Sequence, residues 1–388
     1  MAFLLFILSA AAVAAPLDFR IVVTRQDPSM DWWYAVPEPF QPAIAQTDAV
    51  YRDEYFRIIP FFDAYATDSN HCADLTFDLE VVRPDGTVKQ SLTGNIAHRG
   101  VANGTLPAQS VVQLCFDHAD DPGNYTISIT ARDQVSGTTN RQSRIIEQKP
   151  VRLCQTTPES RDALFLGYAA APDPVAALSS FLQTEPSFFD PGNEPVWSAI
   201  WFYKTIFENN EFLVPQLIEA FPAANRKQRQ DTILLLTLLH ETQRLPRLSQ
   251  DLVVFKRLME AGQVPDPYAP AASRKQLDML WAEFFATGRI RPLEQIVSRL
   301  GLVDRKGTLQ KIEAGELDPA DESVRRAAQE ESVFQSALIT LRQYATDVPL
   351  VLHYCIGILD AEELEKPAQE CLAMLIRSVN ISKQESTP

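Results

Sequence analysis

A chain of 388 residues, 46% hydrophobic and with only 14 glycines, exceeds what one core usually serves, so two folded domains are expected. Its 35 Lys and Arg stand against 50 Asp and Glu, a formal net charge of -15. That balance argues against nucleic acid and against an anionic membrane surface, both of which are held by clustered cations.

Residues 1–14 read as a secretory signal peptide, with an apolar core from Phe3 to Leu8 and small residues ending in Ala12-Val13-Ala14. Cleavage is expected after Ala14, because Pro16 suits poorly the position directly after a cut. No Lys or Arg precedes the apolar run, yet the run is well short of the roughly 20 residues a spanning helix needs. The mature chain is therefore expected to be secreted or periplasmic, with no integral membrane segment.

Asp18 to Thr24 alternates as a first strand. A stretch rich in Pro and aromatics follows, with Trp32 and Trp33 adjacent; neighbours in a strand face opposite ways, so at most one joins a core. Glu54 to Tyr65 is a long apolar strand whose Pro60 predicts an edge or a bulge. Leu75 to Arg83 turns Leu75, Phe77, Leu79 and Val81 inward, and Pro84-Asp85-Gly86 returns the chain as a hairpin through Val88 to Leu92. Asn95 to Pro107 lacks periodicity and reads as a surface loop. Val111 to Asp117, Tyr125 to Thr130 and Thr139 to Glu147 complete about seven strands. The turn Asp121-x-Gly123-x-Tyr125 predicts a tyrosine hydroxyl folded back onto backbone a few residues upstream, the corner of an immunoglobulin-like sandwich. The expected all-β domain covers 15–150.

After Pro150 the rhythm changes to three and four. Val196, Trp197, Ile200, Trp201, Lys204 and Phe207 make one amphipathic helix, and Phe212 to Phe221 the next. Ile233 to Leu239 is apolar on every side, which predicts a helix surrounded by others. Leu252 to Met259 and Leu277 to Phe285 continue the pattern. Gly288 stops the latter, Pro292 opens the following helix, and Asp318-Pro319 precedes a long helix from Ala320 to Tyr344. Val348 to Leu359 and Leu364 to Val379 close the fold. The spacing predicts an all-α domain over 155–381, an α-solenoid-like array of stacked hairpins, before a loose tail at 382–388.

Five cysteines in an exported chain suggest disulfides with one thiol left over. Cys72 with Cys115 and Cys355 with Cys371 are the expected pairs, leaving Cys154; the alternative is five reduced thiols. His71, Cys72, Cys115 and His118 have the residue types of a zinc site, and Asp117, Asp120 and Asp121 those of a calcium loop, but a disulfide and an ordinary turn are the expected states. His240 lacks the second histidine of a zinc-protease helix. In a eukaryotic source Asn103, Asn124 and Asn380 would be glycan acceptors. No nucleophile elbow, phosphate loop or dinucleotide fingerprint occurs, so no catalytic residue, metal or cofactor is assigned. The ligand-contact candidates are the aromatics Trp32, Trp33, Trp197, Trp201 and Trp281.

The motifs YFRIIPFFDAY, RPDG and DDPGNYTISITARD resemble the Ig-like domain that opens certain uncharacterised exported bacterial proteins. LDMLWAEFFATGRIRPLEQIVSRL is similar to the helical domain of such proteins. The resemblance implies an architecture and brings no activity. The expected function is a non-enzymatic interaction or scaffold protein of the bacterial envelope, presenting a helical groove to a protein or peptide. The alternative is a carbohydrate-binding or enzymatic accessory protein using exposed tryptophans or a helical cleft.

Overall fold

The computed structural model describes residues 16–26, 44–183, 196–261, 264–269, 273–361 and 363–385. The signal segment 1–14, Trp32, Trp33 and the last three residues of the tail lie outside them. Two compact units emerge, Met1–Arg25 with Gln46–Pro150 and Gln26–Ala45 with Val151–Pro388. The first is rich in strands and the second in helices.

The strand unit has two sheets. One places β3 (Tyr55–Ala64) between β1 (Asp18–Thr24) and the short strands β6 (Leu106–Pro107) and β7 (Val112–Cys115). The other runs β2 (Ala49–Tyr51), β9 (Thr139–Lys149), β8 (Gly123–Asp133), β4 (Cys72–Val82), β5 (Val88–Val101). Alternation sets the inner faces: Leu75, Phe77, Leu79 and Val81 of β4 and Tyr125, Ile127 and Ile129 of β8 are all buried. The RPDG turn forms as expected, with Gly86 N–H donating to the Arg83 carbonyl at 3.0 Å and Gly86 at φ +86°.

Three sequence expectations need correction. Residues 95–101 are the second half of β5, paired with Cys72–Phe77; bulges opposite Leu75 to Leu79 put Ala97 and His98 both inside and erase the period of two. Pro60 lies in a central strand. Its carbonyl accepts from Ala108 N–H at 2.9 Å, so its missing donor faces the same side, where β3's partner changes from β7 to β6 and no ladder bond is due. The three-residue strand β2, parallel to β9, was too short to show a rhythm.

Side chains of β9 cover the free edge of β1. Asn140 Nδ2 donates to the Leu17 carbonyl at 2.9 Å, Gln142 Nε2 to Asp18 Oδ1 at 3.3 Å and Arg144 Nη1 to the Ile21 carbonyl at 2.8 Å. Their spacing of two puts all three on one face, and Asn140 and Arg144 occupy backbone acceptors that would otherwise invite another strand.

Tyr125 is fully buried. Its hydroxyl donates to the Asp121 carbonyl at 2.8 Å, four residues upstream as expected, and its ring stacks on Phe116 with centroids 3.9 Å apart. Burial, and then the charge of Asp120, push the phenol up to about 12. Tyr125→Phe keeps the stack and loses one hydrogen bond, so urea unfolding should show a loss of about 1 kcal/mol. Tyr125→Ala, which also empties the ring's site, should lose about 4 kcal/mol in the same titration.

In the helical unit, α1 (Pro158–Gly167) and α2 (Pro174–Gln183) precede α3 (Trp197–Asn209), α4 (Leu213–Ala220), α5 (Arg226–Leu238) and α6 (Gln250–Ala261). Then come α7 (Arg274–Thr287), α8 (Ile290–Ser298), the short α9 (Thr308–Glu313), the long α10 (Glu322–Asp347), α11 (Pro349–Asp360) and α12 (Lys366–Glu385). Asn225, Ser273 and Asp321 cap α5, α7 and α10 through their side chains, and Gly288, at φ +66°, ends α7 as expected. The ILLLTLL run lies inside α5 with Ile233, Leu234, Leu235, Leu236 and Leu238 buried.

The packing does not simply follow chain order. The most extensive helix contact joins α3 to α7, and Phe165 of α1 lies against both, 4.8 Å from the Phe202 ring and 5.4 Å from the Phe285 ring. In a one-dimensional stack of hairpins each repeat touches only its neighbours. Here α5 and α6 instead close a small core of their own with Phe221, Ile233, Leu252 and Phe255.

Candidate functional site

The residues with most chemistry on one surface gather where α3 meets α7. Trp197, Trp201, Lys204 and Glu208 follow at four, three and four along α3, so they form a stripe along one side, while Ile200, Tyr203, Ile206 and Phe207 are buried. On α7, Leu277, Leu280, Trp281, Phe284 and Phe285 enter the core and leave Glu283 half-buried beside them.

Glu283 is the hub. Its Oε2 accepts from Trp201 Nε1 at 3.3 Å and its Oε1 from the Tyr268 hydroxyl at 2.6 Å. Tyr268 is held in place by an Asp turn: Tyr268 N–H donates to Asp266 Oδ1 at 2.9 Å, and Gln276 Nε2 donates to the Asp266 carbonyl at 2.8 Å. Each ring carries a cation, Lys204 Nζ 4.8 Å from the Trp201 centroid and the Arg291 guanidinium 4.6 Å from that of Tyr268. Lys204 also pairs with Glu208 at 2.6 Å.

Burial, the hydrogen bond to Glu283 and the charge of Glu283 hold the Tyr268 phenol far above its ordinary range, with Arg291 and Arg289 pulling the other way. Tyr268 therefore stays a donor at neutral pH. Both oxygens of Glu283 are occupied and both ring donors are used. The cluster is a polar surface in which one carboxylate orders two ring donors.

The sequence candidates separate here. Trp281 is a core residue, 4% exposed, with its indole N–H on Thr340 Oγ1 at 3.0 Å and its ring against Phe285 and Tyr344. Trp197 and Trp201 are half-buried on the α3 stripe. Glu283, Tyr268 and Arg291 escaped notice. Lys204, three residues after Trp201, was the one visible signal of a cation over that ring.

The cysteines are unbonded thiols. The expected Cys72–Cys115 bridge does not fit, because Cys72 begins the 11-residue β4 whereas Phe116, next to Cys115, stacks on Tyr125 near the opposite end. That strand is roughly 30 Å long, and a disulfide holds its Cα atoms within about 7 Å. The same separation rules out the zinc set of His71, Cys72, Cys115 and His118. Burial, with the charges of Asp53 and Asp117, pushes the Cys115 thiol up to about 11, and burial alone takes Cys355 to about 12. Burial also raises Cys371, so Cys355 and Cys371 sit as protonated thiols in α11 and α12; Cys154 is exposed.

Asp120 is 2% exposed and spends its charge on Lys89 and on Arg83, the latter at 3.3 Å. The calcium alternative thus loses its central ligand to the protein's own cations. His240 ends α5 in a left-handed conformation, φ +58°. Among the described residues no group of three or more His, Cys, Asp and Glu is placed to hold a metal, and no helix is long and apolar enough to cross a membrane.

No family model and no curated protein matches the chain. Solved structures do. An immunoglobulin-like protein of Pseudomonas aeruginosa is similar at 16% identity, covering 36% of this chain and 99% of its own, with a TM-score of 0.20. A Niemann-Pick type C2 protein of the Japanese carpenter ant is similar at 10% identity, covering 35% of this chain and 93% of its own, with a TM-score of 0.21. Salmonella alpha-2-macroglobulin matches 94% of this chain with 26% of its own, at 10% identity and a TM-score of 0.20.

Proposed function

We propose that the chain is an exported, non-enzymatic interaction protein of the bacterial envelope, in which the helical unit presents a groove to a protein or peptide and an Ig-like sandwich supplies a second surface. The tyrosine corner at Tyr125 supports the Ig-like reading of the strand unit.

The observation that carries the functional reading is the surface built on Glu283. Trp, Tyr and Arg are the residue types in which interface energy concentrates, and Trp201, Tyr268 and Arg291 stand together there. Their hydrogen bonds and ring–cation contacts hold them in place before a partner arrives, which lowers the entropy lost on binding. A sugar-binding reading asks for bare aromatic faces, whereas Lys204 lies over one face of Trp201 and Arg291 over one face of Tyr268.

Affinity capture from the native envelope with wild type, Trp201→Ala and Arg291→Ala tests the reading. A defined protein recovered by wild type should bind at least about 30-fold more weakly to Trp201→Ala, as expected of a hot-spot residue, and measurably more weakly to Arg291→Ala. Recovery unaffected by both changes overturns the assignment to this surface. No protein recovered, together with a sugar that raises the melting temperature, transfers support to the accessory reading.

A further inference from the structure

We propose that Asn103 is a site of spontaneous deamidation, built into the crossover that carries the chain from β5 in one sheet to β6 in the other. Asn103 and Gly104 are both exposed, and Gly104 is left-handed at φ +63°. Among the described residues neither the Asn103 carboxamide nor the Gly104 amide N–H has a hydrogen-bond partner. Gly104 has no Cβ to shield its nitrogen and is the least conformationally restricted residue type. The electrophile, Asn103 Cγ, and the nucleophile, Gly104 N, are therefore adjacent in the chain, solvated and unengaged.

The step balances without an enzyme. Gly104 N bonds to Asn103 Cγ, the Cγ–Nδ2 bond breaks, and the amide leaves as ammonia, taking the Gly104 proton and giving a five-membered succinimide. Water then opens either of the two ring C–N bonds, leaving aspartate or isoaspartate. The net change is amide and water to carboxylic acid and ammonia.

Other described asparagines differ. Asn95, Asn140, Asn209 and Asn210 donate their carboxamides to the carbonyls of Phe77, Leu17, Thr205 and Ile206, and Asn225 caps α5. Asn70, Asn124 and Asn380 are followed in the sequence by His, Tyr and Ile, residue types whose branching at Cα hinders attack by the following nitrogen, whereas glycine does not.

The change falls at an anchored place. The Tyr65 hydroxyl donates to the Gly104 carbonyl at 2.8 Å, and Thr105 Oγ1 donates to Asp63, which pairs with Arg20. Deamidation brings a second carboxylate near Asp63, and isoaspartate adds a backbone methylene next to the Tyr65 contact.

The test incubates the folded full chain in mildly alkaline buffer at body temperature, beside a synthetic Val101–Pro107 peptide, and maps both by mass spectrometry with an isoaspartate-specific digest. The expected result is acid at position 103, mostly isoaspartate, accumulating at a rate approaching that of the free peptide and absent from Asn103→Gln, whose attack would need a disfavoured six-membered ring. Asn103 left intact in the folded chain while the peptide converts overturns the proposal, as does conversion first at another asparagine. Neither result depends on the proposed interaction function.

Discussion

Arg25→Ala is expected to destabilise the strand unit by about 3 to 5 kcal/mol, the penalty for leaving an enclosed charge without its partner. Glu54 is fully buried and Arg25 13% exposed, with Arg25 Nε 2.6 Å from Glu54 Oε1. The other carboxylate oxygen accepts from Tyr51 N–H at 2.7 Å, while the Arg25 Nη atoms donate to Thr47 Oγ1 at 2.8 Å and to the Ala49 carbonyl at 2.6 Å. One guanidinium thus holds the β2 segment against the start of β3. Removing it takes the guanidinium from a buried carboxylate and one donor each from Thr47 Oγ1 and the Ala49 carbonyl, which keep the bonds they make with each other. Replacing both partners with apolar residues, Arg25→Met with Glu54→Leu, should lose less than the sum of the two single changes, because neither charge is then left alone. Chemical denaturation of the four proteins measures this, and a loss below about 1 kcal/mol for Arg25→Ala, the scale of a surface pair, shows that water reaches the site.

That ion pair was invisible in the sequence, where Arg25 and Glu54 are two unremarkable charges 29 residues apart. Local rules carried further. The strands β1 and β4, the RPDG hairpin, the Gly288 stop and the Tyr125 corner depend on residues within a few positions of one another, and each formed where the pattern put it. What failed depended on partners distant in sequence. The second half of β5 hides its pairing because its own bulges displace the period, and Pro60 is tolerated because two other strands happen to meet opposite it. The candidate surface follows the same division. Trp201 and Lys204 were legible as neighbours on a helix face, but Glu283 is 82 residues from Trp201 and Tyr268 stands in a proline-flanked turn with no rhythm to read.

Glu331→Ala should cost the helical unit about 3 kcal/mol, through several donors losing one shared buried acceptor. The helix α9 begins at Thr308 after Gly307, which has no side chain with which to cap it. Glu331 of α10, 2% exposed, supplies the cap from across the fold, accepting from Gly307 N–H and Leu309 N–H, each at 2.8 Å, and from Gln335 Nε2 at 3.1 Å. A carboxylate there also meets the positive end of the helix. Burial by itself raises its pKa, but the backbone donors of Leu309, Gly307 and Thr308 and the Gln335 amide outweigh it and hold the group below its ordinary value of 4.5. Because the folded-state pKa is depressed, the contribution is complete above the unfolded-state value near 4.5 and is lost as pH falls through the folded-state value. Glu331→Gln keeps one acceptor oxygen and removes the charge, so it should cost less than alanine at neutral pH and should flatten the acid limb of the stability curve. Unfolding titrations from neutral pH downward separate the two effects. A glutamine variant with the wild-type acid slope shows that other carboxylates govern acid unfolding, and an alanine variant of wild-type stability shows that water caps α9 as well as Glu331 does.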